Sequence, residues 1–311
     1  MTASLLAILP LFALISLGYV ARRTVLDSRM LPALNQFVYY FAVPALLFNA
    51  ARRQPLDNLF NGPALSAFTL SAAITALIAV AGSRSLFGCE DKEGLVMRGL
   101  NAVFANYAYM GIPLTFGLLG EATHVPTISI ILAGNVLLIG GAQLLIEAQR
   151  QHGTSLRQLW TILDRSLLRN PVFISTILGL LFSGLHMPLP KVAITTLDML
   201  SPAAIPVALF CLGASLEFRR TQTKPIELGW LIAIKLLIHP ALTWLAFILL
   251  GVKEITWLQA AVLLTALPTG ALVHVVAMRY NVLEKGSSQI VVFSTLLSLF
   301  TVTFWASILL N

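Results

Sequence analysis

The chain has 311 residues, of which 58% are hydrophobic and 11% charged, with a formal net charge of +7. An ordinary soluble domain carries roughly 25% charged residues. At a mean hydropathy of +0.86, no core of this length could enclose so much apolar side chain, so a water-soluble fold is excluded and the bilayer must solvate most of the chain.

A transmembrane helix needs about 20 apolar residues. Runs at 3–20, 31–50, 62–82, 95–119, 125–148, 171–187, 191–215, 227–250, 255–279 and 287–310 therefore predict ten spanning helices. The first run has no positive region before it and is followed by Arg22 and Arg23, the reverse of a signal peptide, so it reads as a retained helix with its N-terminus outside. The sixth and seventh runs are divided by the turn signal His186-Met187-Pro188-Leu189-Pro190 and by Lys191. Of the 20 Lys and Arg, fifteen fall in connections after the odd-numbered helices and four (Arg52, Arg53, Lys191, Lys253) on the opposite side, with Lys235 inside a helix. The basic excess thus reports topology rather than a nucleic-acid partner, and puts both termini outside and the 149–170 connection in the cytoplasm.

The first helix carries Pro10-x-Phe12-x4-Leu17-Gly18 and the sixth carries Pro171-x-Phe173-x4-Leu178-Gly179, an offset of 161. The second carries Ala42-x-Pro44-x2-Leu47-Phe48 and the seventh Ala204-x-Pro206-x2-Leu209-Phe210, an offset of 162. Residues 1–148 and 171–311 therefore read as two copies of a five-helix unit, joined by 149–170, and an odd helix count makes the second copy inverted. Pro44, Pro202 and Pro206 read as packing kinks.

Near the middle of the fourth helix stands Asn106-Tyr-Ala-Tyr109-Met110-Gly111-Ile-Pro113, and in the ninth Thr265-Ala-Leu-Pro268-Thr269-Gly270. A Gly/Pro break at membrane depth leaves backbone groups unpaired and is tolerated where it lines a cavity. Two breaks at corresponding places in inverted halves point to a transporter site, each supplying a half-helix N-terminus suited to an anion. His274 follows the second break by one turn, and Asn101 and Asn106 can hydrogen-bond a carboxylate or a neighbouring helix. The candidate substrate-binding residues are therefore Asn101, Asn106, Tyr109, Met110, Gly111, Pro113, Pro268, Thr269, Gly270 and His274.

Ionisable groups at membrane depth are functional candidates. Lys235 reads either as a counter-charge or as a side chain snorkelling to the interface; His239, one turn deeper, is a candidate proton carrier; Asp198 is the one acid well within a span. These three are the coupling candidates, with proton or sodium as the ion. Cys89 and Cys211 lie in no CxxC and near no His, so neither a disulfide framework nor a metal site is expected. No P-loop, H-E-x-x-H, G-x-S-x-G or proteolytic aspartate pair is present, which argues against an enzyme, a primary pump and any cofactor.

Asn106 with Met110-Gly-Ile-Pro-Leu114, Cys211-Leu-Gly-Ala-Ser-Leu216, Lys235-Leu-Leu-Ile-His239-Pro240, Leu267-Pro-Thr-Gly270 with Ala277-Met-Arg-Tyr-Asn-Val282, and Ser294-Thr-Leu-Leu-Ser-Leu299 resemble the auxin efflux carrier family over nearly the whole chain. The short loop after the fifth helix resembles the bacterial, malonate-transporter-like branch rather than the plant PIN-FORMED carriers. The resemblance implies an all-α integral membrane carrier of small organic anions in the inner membrane, with a bile-acid-carrier-like crossover of the fourth and ninth helices and elevator-type alternating access. It places Asn106, Pro113, Pro268 and Gly270 on the crossover; Thr269 stands where plant members often have Gln, which argues against auxin itself. A homodimer is the candidate assembly. The competing readings are a carrier of bulkier amphipathic anions on the same fold and a channel or membrane-embedded sensor.

Overall fold

A computed structural model describes residues 2–27, 29–53, 61–150, 171–216 and 224–310. The expected 149–170 connection, from residue 151 on, and the basic pair Arg219 and Arg220 lie outside the described residues. The described residues are helical, with one isolated backbone bridge as their only β-type pairing.

In chain order the helices are α1 (Thr2–Thr24), α2 (Leu31–Ala51), α3 (Gly62–Ser85), α4 (Lys92–Val103), α5 (Ile112–Leu119) and α6 (Glu121–Arg150). They continue as α7 (Pro171–Gly184), α8 (Lys191–Ser215), α9 (Pro225–Leu249), α10 (Ile255–Thr265), α11 (Ala271–Tyr280) and α12 (Glu284–Leu310). Six of these, α2, α3, α6, α8, α9 and α12, are long and apolar enough to cross a membrane. Every predicted apolar run carries helix, and the fourth and ninth are each split, into α4/α5 and α10/α11. Polarity is inside out relative to a soluble protein: Phe300 is 72% exposed while Lys235, Ser71 and Asn101 are fully buried. Lipid as the outer solvent accounts for both. This is a multi-pass membrane protein.

Proline chemistry shapes several of these helices. A proline ring collides with the carbonyl four residues earlier and removes one donor, and a wide π-type turn relieves the collision. Such turns occupy Val38–Ala42, Tyr107–Gly111 and Ile234–Ile238, each ending two residues before a proline: Pro44, Pro113 and Pro240. A fourth, Gly134–Gly140, has glycines in place of a proline. Pro202 and Pro206 instead sit within an uninterrupted α8, so the expected kinks there are not accompanied by a wide turn.

The helices sort into two groups. α1 runs along α8, α7 along α2, and α2 against α8; α3, α4, α6 and α9 to α12 pack chiefly on one another, and the groups meet where α12 and α5 lie on α1 and where α8 meets the turn Tyr107–Gly111. Small residues set the close approaches in the first group. A side chain at Gly18 on α1 would run into the Phe210 carbonyl of α8, and one at Gly179 on α7 would come 2.7 Å from the Phe48 carbonyl of α2.

Candidate functional site

Both broken segments come apart at the same place. α4 ends at Val103, and its C-terminal neighbour Phe104 turns to extended backbone (φ −81°, ψ 116°). α10 ends at Thr265; three residues on stands Pro268, and a residue preceding proline is pushed toward extended geometry. The two extended pieces pair as an antiparallel bridge between Ala105 and Thr269. Asn106 N donates to the Pro268 carbonyl at 2.9 Å, and Gly270 N donates to the Phe104 carbonyl at 3.0 Å. Each break thus satisfies part of the other's backbone, which answers the cost of unpaired peptide groups away from water. Gly270 is required by sterics, because a Cβ there would stand 2.7 Å from the Ala105 carbonyl oxygen.

Side chains from a third helix brace the crossing. Thr269 Oγ1 donates to the Asn101 carbonyl in the last turn of α4 at 2.8 Å, and Thr269 N donates to Ser294 Oγ of α12 at 3.1 Å. Asn101 Nδ2 donates to Ser287 Oγ of α12 at 2.9 Å and to the Met97 carbonyl at 2.8 Å, while its Oδ1 has no partner among the described residues. Its amide nitrogen therefore serves the helix-to-helix role. Ser287 and Ser294 are neighbours of the crossing that the sequence alone does not single out; their spacing of seven places both on one face of α12, and that spacing is the available signal.

Asn106 is 2% exposed, and its Nδ2 has no hydrogen-bond partner among the described residues. Its carbonyl accepts from Met110 N (3.1 Å) and Gly111 N (3.0 Å), which ties down the start of the second half-segment. Tyr107 packs edge-on against Phe104 with ring centroids 5.0 Å apart, and its hydroxyl is buried. Tyr109 lies in the same wide turn, Met110 is fully buried, and Pro113 occupies the first turn of α5. α11 begins at the second break with no side chain capping its N-terminus, and His274 sits half-buried in its first turns. Beside Pro113, where α5 faces Val43 and Leu46 of α2 and Ala204 and Ile205 of α8, only a void too small for a water molecule remains.

Lys235 does not snorkel. It is fully buried, and Nζ donates to the Thr265 carbonyl at 2.6 Å, the last residue of α10. An ammonium at a helix C-terminus meets the negative end of the helix dipole and an orphan carbonyl at once. His239, one turn on, is fully buried, and neither ring nitrogen has a hydrogen-bond partner among the described residues. Around it, Thr243 Oγ1 donates to the His239 carbonyl at 2.9 Å and lies 3.0 Å from Ser71 Oγ of α3. Asp198 is placed elsewhere: its side chain is 50% exposed, accepts from Asn49 Nδ2 at 3.2 Å and lies 3.9 Å from Arg53, in the first turns of α8. Sequence placed it inside a span; structurally it belongs to a polar cluster at one end of α2 and α8, away from the crossing.

A buried ion pair also escaped the sequence reading. Arg98, counted there with a connection, lies within α4 and pairs with Glu227 in the first turn of α9, the two side chains being 12% and 5% exposed. The pair ties α4 to α9. Burial pushes up the nearby Cys89 thiol, against the opposing pull of Arg98.

Comparison with known proteins identifies the family. The family described as "Membrane transport protein" matches residues 3–306. A protein of Rhizobium meliloti (strain 1021) named "Putative malonate transporter" is 32% identical over 299 residues, 95% of this chain and 92% of that protein. An "Uncharacterized transporter" of Methanothermobacter thermautotrophicus is 26% identical over 308 residues, 97% of each. Auxin efflux carrier component 3 of Arabidopsis thaliana is 30% identical over 174 residues, which is 52% of this chain and 26% of that longer protein.

Proposed function

The chain belongs to this family of membrane transport proteins, to which the auxin efflux carriers are related, and from that premise we propose that it is a secondary carrier of small organic anions, malonate-like mono- and dicarboxylates, in the cytoplasmic membrane. The carrying observation is Asn106: a buried amide donor without a partner among the described residues, held by backbone bonds at the point where two broken helices cross. A buried donor left unpaired costs about 1–3 kcal/mol, and a substrate carboxylate removes that cost. Around it, the uncapped start of α11 supplies N–H groups and partial positive charge for the same anion, with His274 one turn on. Gly111, Pro113, Pro268, Thr269 and Gly270 shape the crossing, and Tyr109, Met110 and Asn101 complete the candidate set.

The ten-helix inverted repeat has support in one pair of contacts. Gly18 and Gly179 close the shared motif of the first and sixth helices, and Phe210 and Phe48 close that of the seventh and second. Gly18 abuts the Phe210 carbonyl and Gly179 abuts the Phe48 carbonyl, so each half's first helix packs on the other half's second in the same way. The group α1, α2, α7 and α8 is the scaffold of our reading and the remainder the moving body. The close packing beside Pro113 suits a carrier whose two groups slide or part to admit substrate, and so favours elevator-type alternating access over a channel. Lys235, positioned where a coupling cation would neutralise the end of α10, and His239 beside it are the coupling candidates; both termini face outside.

Purified protein in sealed vesicles, supplied with labelled malonate and a panel of mono- and dicarboxylates under imposed proton or sodium gradients, tests the reading. Saturable, counterflow-capable uptake of small carboxylates is expected; a non-saturable flux refutes the carrier, and transport restricted to bulky amphipathic anions refutes the substrate class.

A further inference from the structure

A groove of ≈ 600 Å³ lies between α3, α4 and α6. Its walls are made by small residues set among large apolar ones: Ala72 and Ala76 of α3, Gly99 and Leu100 of α4, Leu138 and Gly141 of α6. Of its lining residues only Thr69, Lys92 and Gln149 are polar, and the Thr69 hydroxyl is spent on the Leu65 carbonyl of its own helix at 2.7 Å. The groove therefore offers an anion nothing along its length and an apolar chain everything.

Its dimensions select the occupant. The lining of α4 runs from Lys92 to Val103 and that of α6 from Leu137 to Gln149, which at 1.5 Å per residue is roughly 17 Å. One leaflet contributes about half of the roughly 30 Å hydrocarbon core. A spanning partner helix would be nearly twice as long as the groove, whereas one acyl chain of one leaflet matches it. Both polar side chains that remain stand at the same end, because Arg150, next to Gln149, holds Glu93, next to Lys92, through two bonds of 2.7 and 2.9 Å. Glu93 and Arg150 neutralise each other, and among the described residues Lys92 forms no ion pair. Lys92 is exposed at that end, preceded in the chain by Glu90 and Asp91, and a basic side chain at headgroup depth attracts anionic lipid.

We propose that this groove binds one acyl chain of an anionic phospholipid, with the headgroup phosphate at Lys92 and Gln149. A lipid seated there travels with α3, α4 and α6 and fills a cleft that would otherwise be an empty notch in the face of the moving body.

The test uses the full-length protein purified in detergent and offered equal amounts of phosphatidylglycerol and phosphatidylethanolamine, with retained lipid counted by native mass spectrometry. The wild type is expected to retain one phosphatidylglycerol per chain, at least fivefold over phosphatidylethanolamine. Gly141→Leu and Ala76→Leu each place a side chain in the groove; a Cβ at Gly141 meets nothing within 4 Å, so the backbone accepts it. Both are expected to reduce retention at least tenfold, and Lys92→Gln, at an exposed position, to abolish the headgroup preference while leaving total retention. Undiminished retention in the two filled variants, or an unchanged preference in Lys92→Gln, overturns the assignment.

Discussion

Gly270→Ala isolates the crossing from every other feature of the chain. The added methyl would stand 2.7 Å from the Ala105 carbonyl oxygen and 3.0 Å from the Phe104 ring. The near neighbour is backbone, which cannot swing aside as a side chain would. Relief comes only by parting the two extended pieces, which stretches Gly270 N to Phe104 O and Asn106 N to Pro268 O, now 3.0 and 2.9 Å. Each buried peptide group left unpaired costs about 1–3 kcal/mol, so the pair amounts to about 2–6 kcal/mol, a large fraction of the roughly 5–15 kcal/mol that holds a typical domain together. Gly117→Ala is the control: a Cβ there meets nothing within 4 Å, and alanine is the better helix former by about 1 kcal/mol. Thermal unfolding of both variants in detergent decides the matter. The reasoning predicts that Gly270→Ala melts well below wild type and Gly117→Ala at or above it; equal midpoints refute the steric account of the crossing.

Lys235→Met removes the ammonium from the Thr265 carbonyl, and transport is expected to lose or shift its pH dependence in a protein that still purifies folded; an unchanged pH profile would assign Lys235 to packing. The hydrogen bond from Arg150 holds the Glu93 carboxyl below the usual carboxylate range. A depressed carboxylate contributes stability above its unfolded pKa of about 4.3 and loses it as pH falls through the lowered folded value. The difference in melting temperature between wild type and Glu93→Gln is therefore expected at neutral pH, small because the pair is partly exposed, and absent in strong acid; a difference independent of pH would contradict it. In a Cys89→Ser, Cys211→Ser background, a cysteine replacing Gly153 is expected to be protected from an impermeant reagent in intact cells and one replacing Thr2 to react, since the charge count sets this connection inside; the opposite pattern would overturn the topology.

The helices were legible because their signal is redundant. Composition, run length and the basic connections agree at each segment, and the breaks announce themselves as Gly/Pro clusters in otherwise apolar runs. Wide turns were legible in principle, since each of three ends two residues before a proline, but the same residue type at Pro202 and Pro206 leaves α8 uninterrupted, so proline alone does not decide. Pairings across the chain were not legible. Arg98 stands near a helix start and reads as a topology charge until α9 brings Glu227 against it. Asp198 reads as intramembrane from its run, yet it stands half-exposed between Asn49 of α2 and Arg53 just beyond that helix. Lys235 left two readings open because sequence distance to the membrane surface says nothing about the Thr265 carbonyl lying 2.6 Å away. Periodicity finds which residues share a helix face; the partner of a buried polar group comes from another helix.

The central claim is that the anion is held at the crossing, and the measurement closest to it is the affinity of purified Asn106→Ala for malonate, by calorimetry, beside wild type. Loss of a hydrogen bond at a site where an unmade bond costs about 1–3 kcal/mol corresponds to roughly five- to a hundredfold weaker binding. Asn106 Nδ2 makes no bond within the described residues, so its removal should cost the folded protein little while costing the complex that full factor. Malonate binding to Asn106→Ala with the wild-type affinity would remove the crossing from the substrate site.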